Sequence, residues 1–323
     1  MRVVVTGGAG FIGRALVARL AVRGDHVVAL VRDPRAAAHL ERPNVRLVAA
    51  DLSSPADLRD TMGGADAVVH GAGSYRIGIR GSEHAAMWEA NVGTTERVLD
   101  AAIAARVVRI LYVSTNNILG NTRGTKPDET YRRPPDEPFL SWYDETKVRA
   151  HEAAERRIGD GAPIVIAQPG QTYGPHDHSD ASAQLQRAHA GRLPYVAFAS
   201  LGLAWVHVDD LADGLVAALD RGRIGEAYSF AGDCRTMADS VVVAARVGGH
   251  RPPRVTVPTA ILSALAPVND RLGGLPGLPA SLAEAISAAD GVTYWATHEK
   301  ASRELGFEPR PLEQGVADTW GRP

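Results

Sequence analysis

Residues 2–13 read Arg2-Val-Val-Val-Thr-Gly-Gly-Ala-Gly-Phe-Ile-Gly13, a run of β-branched residues followed by glycines at a three-residue spacing. This pattern predicts a buried strand that turns tightly into a helix, because glycine lets the backbone turn and approach a ligand closely. A pyrophosphate bound there would lie against the N-terminus of the helix. The stretch therefore indicates a dinucleotide site, although a turn without a ligand is the alternative. The candidate cofactor contacts are Gly7, Gly10, Phe11, Ile12 and Gly13.

The first half of the chain alternates short apolar runs with amphipathic helical segments. Strands are predicted at 2–6, 26–31, 45–49, 67–70, 108–114 and 164–167, and helices near 11–23, 56–61, 84–105 and 142–158. Continuous apolar strands separated by helices are typical of a parallel sheet covered on both faces. We therefore expect an α/β fold with a doubly wound parallel sheet, whose ligands bind at the carboxyl ends of the strands.

The pattern changes after Pro169. Residues 171–204 are rich in His, Ala and Gly, and residues 251–278 are rich in Pro and Gly. We expect residues 1–170 to form a Rossmann-type nucleotide-binding domain whose sheet is completed by about 204–232. Residues 171–323 are expected to form a smaller, interleaved substrate-binding lobe, since no linker or repeat separates the two parts.

Composition excludes several classes of protein. The formal net charge of the 323-residue chain is −2, which gives no electrostatic signature of nucleic-acid or anionic-membrane binding. The single cysteine, Cys234, excludes an internal disulfide and a zinc cluster of cysteines. No apolar run approaches 18 residues, and we expect no signal segment, because the chain enters a predicted strand at once. We expect a cytoplasmic enzyme, monomeric or homodimeric, acting on a small molecule.

Two further segments follow predicted strands and extend the candidate cofactor site. Asp51 and Leu52 come after the third strand, where an acid and an apolar neighbour could hold an adenine ring; Asp51 could instead cap the next turn. Small residues after the fourth strand would allow close approach of the cofactor. These are Gly71, Ala72 and Gly73.

The second strand ends in Val31-Arg32-Asp33, which bears on the choice of dinucleotide. An acid at this strand end binds the ribose hydroxyls of NAD, whereas an arginine accommodates the 2′-phosphate of NADP. Because Arg32 comes first, we predict NADP. Binding of NAD through Asp33 is the alternative.

Tyr143 and Lys147 are four residues apart in a predicted helix, on the same face. The unperturbed pKa of tyrosine is about 10, too high for efficient proton exchange near neutrality. We expect the ammonium of Lys147, reinforced by an oxidised nicotinamide, to lower the pKa of Tyr143. A hydroxyl that holds the substrate oxygen is expected at Thr115 or Ser114, of which strand alternation allows only one to face the site.

A set of short motifs along nearly the whole chain resembles the extended branch of the short-chain dehydrogenases/reductases. The motifs are Thr6-Gly-Gly-Ala-Gly-Phe-Ile-Gly13, Asp51-Leu52, Tyr112-Val-Ser-Thr115 with Gly120, Tyr143-x-x-x-Lys147, Pro169-Gly-Gln-Thr-Tyr-Gly-Pro175, Val206-His-Val-Asp-Asp210 and the tail 299–310. The resemblance implies catalysis by Thr115, Tyr143 and Lys147, with Gly120 favouring Thr115 over Ser114. It also implies cofactor contacts at Tyr143, Lys147, Pro169 and Gly170.

Departures from the family pattern narrow the expected reaction. Sugar-nucleotide dehydratases carry Asp-Glu after the Thr, but this chain has Asn116-Asn117, which disfavours dehydration. Sugar-nucleotide epimerases usually have Arg where Gln168 stands, and a polar stretch where 201–205 is apolar. The chain looks closest to the dihydroflavonol-reductase-like subgroup, so we predict an NADP-dependent carbonyl reductase or alcohol dehydrogenase. A sugar-nucleotide epimerase and a non-catalytic dinucleotide sensor are the alternatives.

Other polar and aromatic residues have both a functional and a structural interpretation. The candidate substrate contacts are Tyr75, Asn117, Trp142, Gln171 and Tyr173, with core packing as the alternative for the aromatic ones. His176 and His178 lack a third ligand at metal-site spacing, so no metal is predicted. Asn91 could support the active site or begin a helical turn, and His207 is more simply a core residue.

Overall fold

The computed structural model describes residues 1–321. Its strands are β1 (Arg2–Thr6), β2 (His26–Val31), β3 (Val45–Ala49), β4 (Ala67–His70), β5 (Ile110–Val113), β6 (Ile164–Pro169), β7 (Gln171–Tyr173), β8 (Gly202–His207), β9 (Ala227–Phe230), β10 (Asp233–Thr236) and β11 (Thr293–Tyr294). Its α-helices are α1 (Phe11–Val22), α2 (Pro55–Met62), α3 (His84–Trp88), α4 (Thr94–Ala104), α5 (Trp142–Gly159), α6 (Asp180–His189), α7 (Val208–Arg221), α8 (Met237–Val247), α9 (Thr259–Leu272), α10 (Leu282–Ser287), α11 (Glu299–Leu305) and α12 (Leu312–Trp320).

Seven strands form the main sheet in the order β3-β2-β1-β4-β5-β6-β9, and every neighbouring pair is parallel. The chain reverses direction across the sheet between β1 and β4. A crevice opens outside the strand ends at such a reversal, and ligands of doubly wound sheets bind there. The predicted α/β fold with a doubly wound parallel sheet is confirmed.

Alternation of side chains along β1 explains why its sequence is apolar throughout. Val3 and Val5 belong to the core on one face of the sheet, which is covered by α1 and α7. Val4 belongs to the core on the other face, which is covered by α4 and α5. Because both faces are buried, each position of the strand needs an apolar side chain.

A second, smaller sheet is built around β8. One edge of β8 pairs antiparallel with β10, and its other edge pairs parallel with β11 and then β7. Only Gly170 separates β6 from β7, so the chain passes directly from the main sheet into the second one. We expected residues 204–232 to complete the main sheet. Within this segment, β9 lies at the edge of the main sheet, whereas β8 lies in the second sheet.

The helix predicted over 84–105 is interrupted by a π-helical turn at Glu89–Gly93. The hydroxyl of Thr94 donates to the carbonyl oxygen of Glu89 at 3.1 Å, and that of Thr95 to the carbonyl oxygen of Asn91 at 2.6 Å. Side-chain hydrogen bonds of this kind compete with regular helical pairing.

Within residues 1–321 we find no helix with the length and apolar character needed to cross a bilayer.

Leu20 and Val22 on α1 provide a matched test of the packing. Leu20 is fully buried, whereas Val22 is 89% exposed. We expect Leu20→Ala to lower the free energy of unfolding by about 2 to 5 kcal/mol, because it leaves a cavity beside the sheet. Val22→Ala should change it by less than about 0.5 kcal/mol. Urea unfolding followed by circular dichroism measures both, and equal losses would contradict the assigned packing of α1.

Candidate active site

The glycine-rich turn packs against the loop that follows β4. Gly7 has a positive φ of 74°, and a Cβ atom added there would lie 2.7 Å from the backbone nitrogen of Ala72. A Cβ on Gly13 would collide with the carbonyl oxygen of Gly7. Helix α1 begins at Phe11, so the first amides of the helix lack intrahelical partners and point out of its N-terminus. This cradle of backbone fits a dinucleotide pyrophosphate. Gly10 and Gly73 lie on the same two loops, and Ile12 lies in the first turn of α1.

His70, at the end of β4, ties these loops to the helix that follows. Thr6 donates to Nδ1 of His70 at 2.7 Å, and Nε2 lies 3.0 Å from the hydroxyl of Thr95. Because the Thr95 hydroxyl donates to the carbonyl of Asn91, Nε2 carries the proton of His70. Burial and the nearby ammonium of Lys147 lower the pKa of His70 to about 3, so it is a neutral link.

The two residues that bear on the choice of dinucleotide have different surroundings. The carboxylate of Asp33 accepts a hydrogen bond from the backbone of Arg35 at 2.9 Å, which closes a short turn. Arg32 is exposed, and its side chain makes no hydrogen bond or ion pair with another of residues 1–321. Its guanidinium is therefore available to a ligand, and Asp33 uses one carboxylate oxygen, Oδ1, in the turn.

Asp51 and Leu52 lie between β3 and α2. Both carboxylate oxygens of Asp51 accept from Ser53, at 2.8 Å from its amide and 2.6 Å from its hydroxyl. These bonds lower the pKa of Asp51 and order the turn before α2. The capping interpretation of Asp51 thus describes its contacts in this structure, and a contact with adenine stays a prediction.

Tyr143 and Lys147 lie in the first half of α5, and both are buried. Nζ of Lys147 donates to the carbonyl oxygen of Val113 at 3.4 Å and lies 5.4 Å from the centre of the Tyr112 ring. These contacts hold the ammonium beside the carboxyl end of β5. Pro169 and Gly170 lie at the carboxyl end of the neighbouring strand β6.

Ser114 and Thr115 have different partners. The hydroxyl of Ser114 is buried 2.9 Å from Nδ1 of His151 on α5. Thr115 caps the short 3₁₀ helix Asn116–Leu119, and its hydroxyl acts on Tyr143 to favour the phenolate, which lowers the pKa of that phenol. Thr115 is therefore the one of the two that faces the predicted proton donor.

Burial determines the protonation of the predicted catalytic residues. It raises the pKa of Tyr143 well above the usual range, and the nearby Tyr75 and Asp144 raise it further, while the hydroxyl of Thr115 opposes them. Burial lowers the pKa of Lys147 to about 8. Loss of solvation thus outweighs the hydroxyl of Thr115 and raises the pKa of Tyr143, and the expected lowering by Lys147 and an oxidised nicotinamide stays a prediction.

Asn91, in the π-helical turn, supports the site. Its Oδ1 accepts from the amide of Ser74 at 2.7 Å, and its Nδ2 donates to the hydroxyl of Thr146 at 2.9 Å. Ser74 continues the loop after β4, and Thr146 precedes Lys147 on α5. One side chain thus joins the predicted cofactor loop to the predicted catalytic helix.

The predicted substrate residues do not all share one pocket. The ring of Tyr75, half exposed, meets that of Tyr143 edge-on with centroids 4.8 Å apart. Asn117 hydrogen bonds to Thr115. Gln171 donates to the backbone of Thr172 at 3.3 Å. Tyr173 is 1% exposed in the core around β8, so it lines no open pocket.

Trp142 borders a separate open cleft of about 860 Å³ between the loop after β4 and helices α9 and α10. Its indole stacks on His84 at 4.3 Å and donates to the His84 carbonyl. Thr115, Tyr143 and Lys147 do not line this cleft. The cleft is therefore adjacent to the predicted catalytic residues but not centred on them.

His207 has a structural role, and among residues 1–321 the structure groups no metal ligands around His176. His207 is 2% exposed, caps α7 by accepting from the amide of Asp209 at 3.2 Å, and lies 3.2 Å from the Thr319 hydroxyl. His176 is exposed. In the part of the chain that the structure describes, no three His, Cys, Asp or Glu side chains are grouped to hold a metal ion.

Comparison with known proteins places this geometry in a family. The model of the NAD dependent epimerase/dehydratase family matches residues 3–231, more than half of the chain. The chain belongs to this family. The resemblance to extended short-chain dehydrogenases/reductases is thereby confirmed, and the glycine-rich turn, Tyr143 and Lys147 all lie within the matched region.

Several relatives are similar over most of their length. A 2-alkyl-3-oxoalkanoate reductase of Stenotrophomonas maltophilia is 30% identical, with 98% of this chain and 97% of the relative covered. A 4-hydroxy-2-methyl-3-oxo-4-farnesyl-3,4-dihydroquinoline-1-oxide ketoreductase of Stigmatella aurantiaca is 30% identical, covering 71% and 67%. The crystal structure of gox2253 superposes with a TM-score of 0.81 at 30% identity, covering 98% and 97%.

One buried residue next to the predicted catalytic residues was missed by sequence reasoning. Asp144 is 2% exposed and contacts both Asn117 and Tyr294, which is 150 positions away. The pattern Ser141-x-x-Asp144 suggests an ordinary helix start, in which the acid faces solvent. Only the position of β11, which carries Tyr294, reveals that Asp144 faces inward.

Alanine substitutions at Ser114 and Thr115 test which hydroxyl serves the site. Thr115→Ala should lower kcat by about 10²-fold, since it removes a donor to the substrate oxygen. Ser114→Ala should keep kcat near that of the wild type, while costing about 1 to 3 kcal/mol of stability because Nδ1 of His151 loses its partner. Steady-state kinetics and thermal unfolding of both variants separate these effects. Comparable losses of kcat would contradict the assignment.

Proposed function

We propose that this protein is an NADP-dependent carbonyl reductase or alcohol dehydrogenase of the extended short-chain type. The observation that carries the proposal is the buried phenol of Tyr143, on the same helix as Lys147 and beside the hydroxyl of Thr115. Because its pKa is raised, this phenol keeps its proton near neutral pH. A protonated phenol suits the donation of a proton to the oxygen of a carbonyl undergoing reduction.

The roles of the residues follow from their positions. Thr115 holds the substrate oxygen by a hydrogen bond, and Tyr143 delivers its proton to that oxygen. Lys147 stabilises the resulting phenolate and binds the nicotinamide ribose, which its position at the end of β5 allows. When bound in the cradle of the glycine-rich turn, the dinucleotide supplies the hydride to the carbonyl carbon. Oxidation of an alcohol uses the same contacts in reverse.

Asn116 and Asn117 support reduction over water elimination. The side-chain oxygen of Asn116 accepts from the hydroxyl of Ser229 at 3.3 Å, and that of Asn117 accepts from the hydroxyl of Thr115. Neither side chain ionises, so neither supplies the acid or base that dehydration requires. The two reductase relatives, both named for acting on ketones, support the same reading.

A sugar-nucleotide epimerase remains the second candidate, because the family takes its name partly from that activity. The apolar stretch 201–205 does not argue against it. Leu203 and Trp205 are buried in the core around β8, so core packing explains their apolar character. An epimerase uses the same three residues but returns the hydride to its substrate. A dinucleotide sensor would have no need of the buried Tyr143 and Lys147.

Arg32 tests the choice of cofactor. Its exposed guanidinium should form a charge-assisted contact with a 2′-phosphate, so NADPH should bind more tightly than NADH by roughly 1.5 to 3 kcal/mol. Arg32→Ala should remove most of this difference. Arg35→Ala is the matched control, since Arg35 contacts Asp33 through its backbone only. Fluorescence titration of the three proteins with NADPH and NADH gives six dissociation constants, and equal wild-type affinities would point to Asp33 and NAD.

The fate of cofactor electrons separates reductase from epimerase. With a ketone substrate we expect one NADPH to be consumed per alcohol formed, followed as absorbance at 340 nm with product analysis by NMR. Tyr143→Phe should slow this turnover by about 10²- to 10⁴-fold, while leaving cofactor affinity nearly unchanged. Uridine and thymidine diphosphate sugars are the comparison substrates. Inversion at a sugar carbon without net cofactor change would replace the reductase proposal by the epimerase.

A further inference from the structure

We propose that Asp144 is a positioning residue that holds Asn117, and through it the hydroxyl of Thr115, in the arrangement needed for reaction. The inference rests on the proposed function, since it assigns Thr115 to the substrate oxygen. It concerns a carboxylate that does not reach the reacting atoms and acts through one intervening side chain.

The contacts form a continuous chain. The hydroxyl of Thr115 donates to Oδ1 of Asn117 at 3.2 Å. Nδ2 of Asn117 donates to Oδ1 of Asp144 at 2.9 Å. The hydroxyl of Tyr294, on β11, donates to Oδ2 of Asp144 at 3.0 Å. These hydrogen bonds thus connect the site, through the start of α5, to a strand of the second sheet.

The carboxylate determines which way the amide of Asn117 points. An ionised carboxylate only accepts hydrogen bonds, so the NH₂ group of Asn117 must face Asp144 and its carbonyl oxygen must face Thr115. The backbone N–H of Asn117 also donates to the hydroxyl oxygen of Thr115, at 3.2 Å. Thr115 therefore has a fixed oxygen and a hydrogen with a defined resting partner, from which it can turn to the substrate oxygen.

The place of Asp144 in the helix is unusual for an acid at this position. Ser141 caps α5 by accepting from the backbone amide of Asp144 at 3.1 Å. An acidic side chain three residues after the cap commonly turns back to the cap residue. Here the carboxylate is turned inward to Asn117 and Tyr294. Its function in the fold is therefore not to close the helix end.

Few charges act on this buried carboxyl, and those that do favour its protonation. Burial raises the pKa of Asp144 to about 6, and Glu284 on α10 also raises it, while Asn117, Tyr294 and Ser141 oppose the shift. The phenols of Tyr75 and Tyr143 face it as well. The Tyr294 hydroxyl also lies 3.2 Å from the carbonyl oxygen of Ala288. Tyr294 can therefore donate to that carbonyl when Asp144 is protonated.

Protonation has a defined consequence for the site. A neutral carboxyl is a weaker acceptor than a carboxylate, so it holds the Asn117 amide less firmly. We expect kcat to be full when Asp144 is ionised and to fall as the pH drops through about 6. The value of kcat falls toward low pH because the deprotonated form of Asp144 is the active one.

The experiment measures kcat and KM against pH for the wild type, Asp144→Asn and Tyr294→Phe. Asp144→Asn should lower kcat by roughly 10- to 100-fold with little change in KM, and should lose the acidic limb of the profile. Tyr294→Phe keeps the carboxylate but removes a donor to it, so its acidic limb should move to higher pH. Tyr228→Phe is the matched control, since Tyr228 donates to Glu304 at 2.9 Å away from the site, and its profile should match the wild type.

A measurement without substrate separates this inference from the proposed function. The ¹³C shift of the Asp144 carboxyl and the ¹⁵N shift of the Asn117 side chain should titrate together, and Tyr294→Phe should raise their common pKa. If no carbonyl compound is reduced, the proposed function fails and these shifts still test the contact chain. An acidic limb that persists in Asp144→Asn, or an Asn117 signal that ignores the Asp144 titration, would overturn the positioning role.

Discussion

Loss of solvation at the start of α5 is the constraint on which the chemistry of this site depends. Tyr143, Asp144 and Lys147 are all buried although each can ionise. Burial shifts every one of them toward its neutral form: the pKa values of Tyr143 and Asp144 rise, and that of Lys147 falls. Each group therefore needs a polar partner, and those partners come from β5, the 3₁₀ helix after it and β11. The site is thus built from hydrogen bonds to these three residues, made by groups from distant parts of the chain.

The main sheet makes these contacts available. Parallel strands end at one edge of the sheet, so the loops after β1, β4, β5 and β6 meet there although they are far apart in sequence. Asn91 then joins the loop after β4 to α5, and His70 joins β1 to the helix beyond the π-helical turn. The predicted cofactor cradle and the predicted proton donor are consequently held in one framework of buried hydrogen bonds.

Sequence reasoning predicted the features whose causes are local. The valines of β1 and the glycines after it predict the sheet and the turn, and the four-residue spacing predicts that Tyr143 and Lys147 share a face of α5. The choice between Ser114 and Thr115 was left open by alternation alone, and it depends on His151, 37 positions from Ser114. Asp144, on α5, was missed because its partner Tyr294 lies 150 positions away, on a strand of the second sheet. For Tyr173 the sequence suggested a substrate contact, because this aromatic residue lies in a family motif. The structure packs it in the core around β8 instead.

The π-helical turn at Glu89–Gly93 sets the rotation of everything that follows it on α4. A helix advances about 100° per residue, and a π-helical turn contains one residue more than an α-helical turn. Thr95 faces His70 because of this extra residue, and an uninterrupted helix of the same sequence would direct a neighbouring side chain there instead. Removal of a single residue between positions 89 and 93 would therefore let the segment close into a regular α-helix, and the residues from Thr94 onward would keep the faces that they present here.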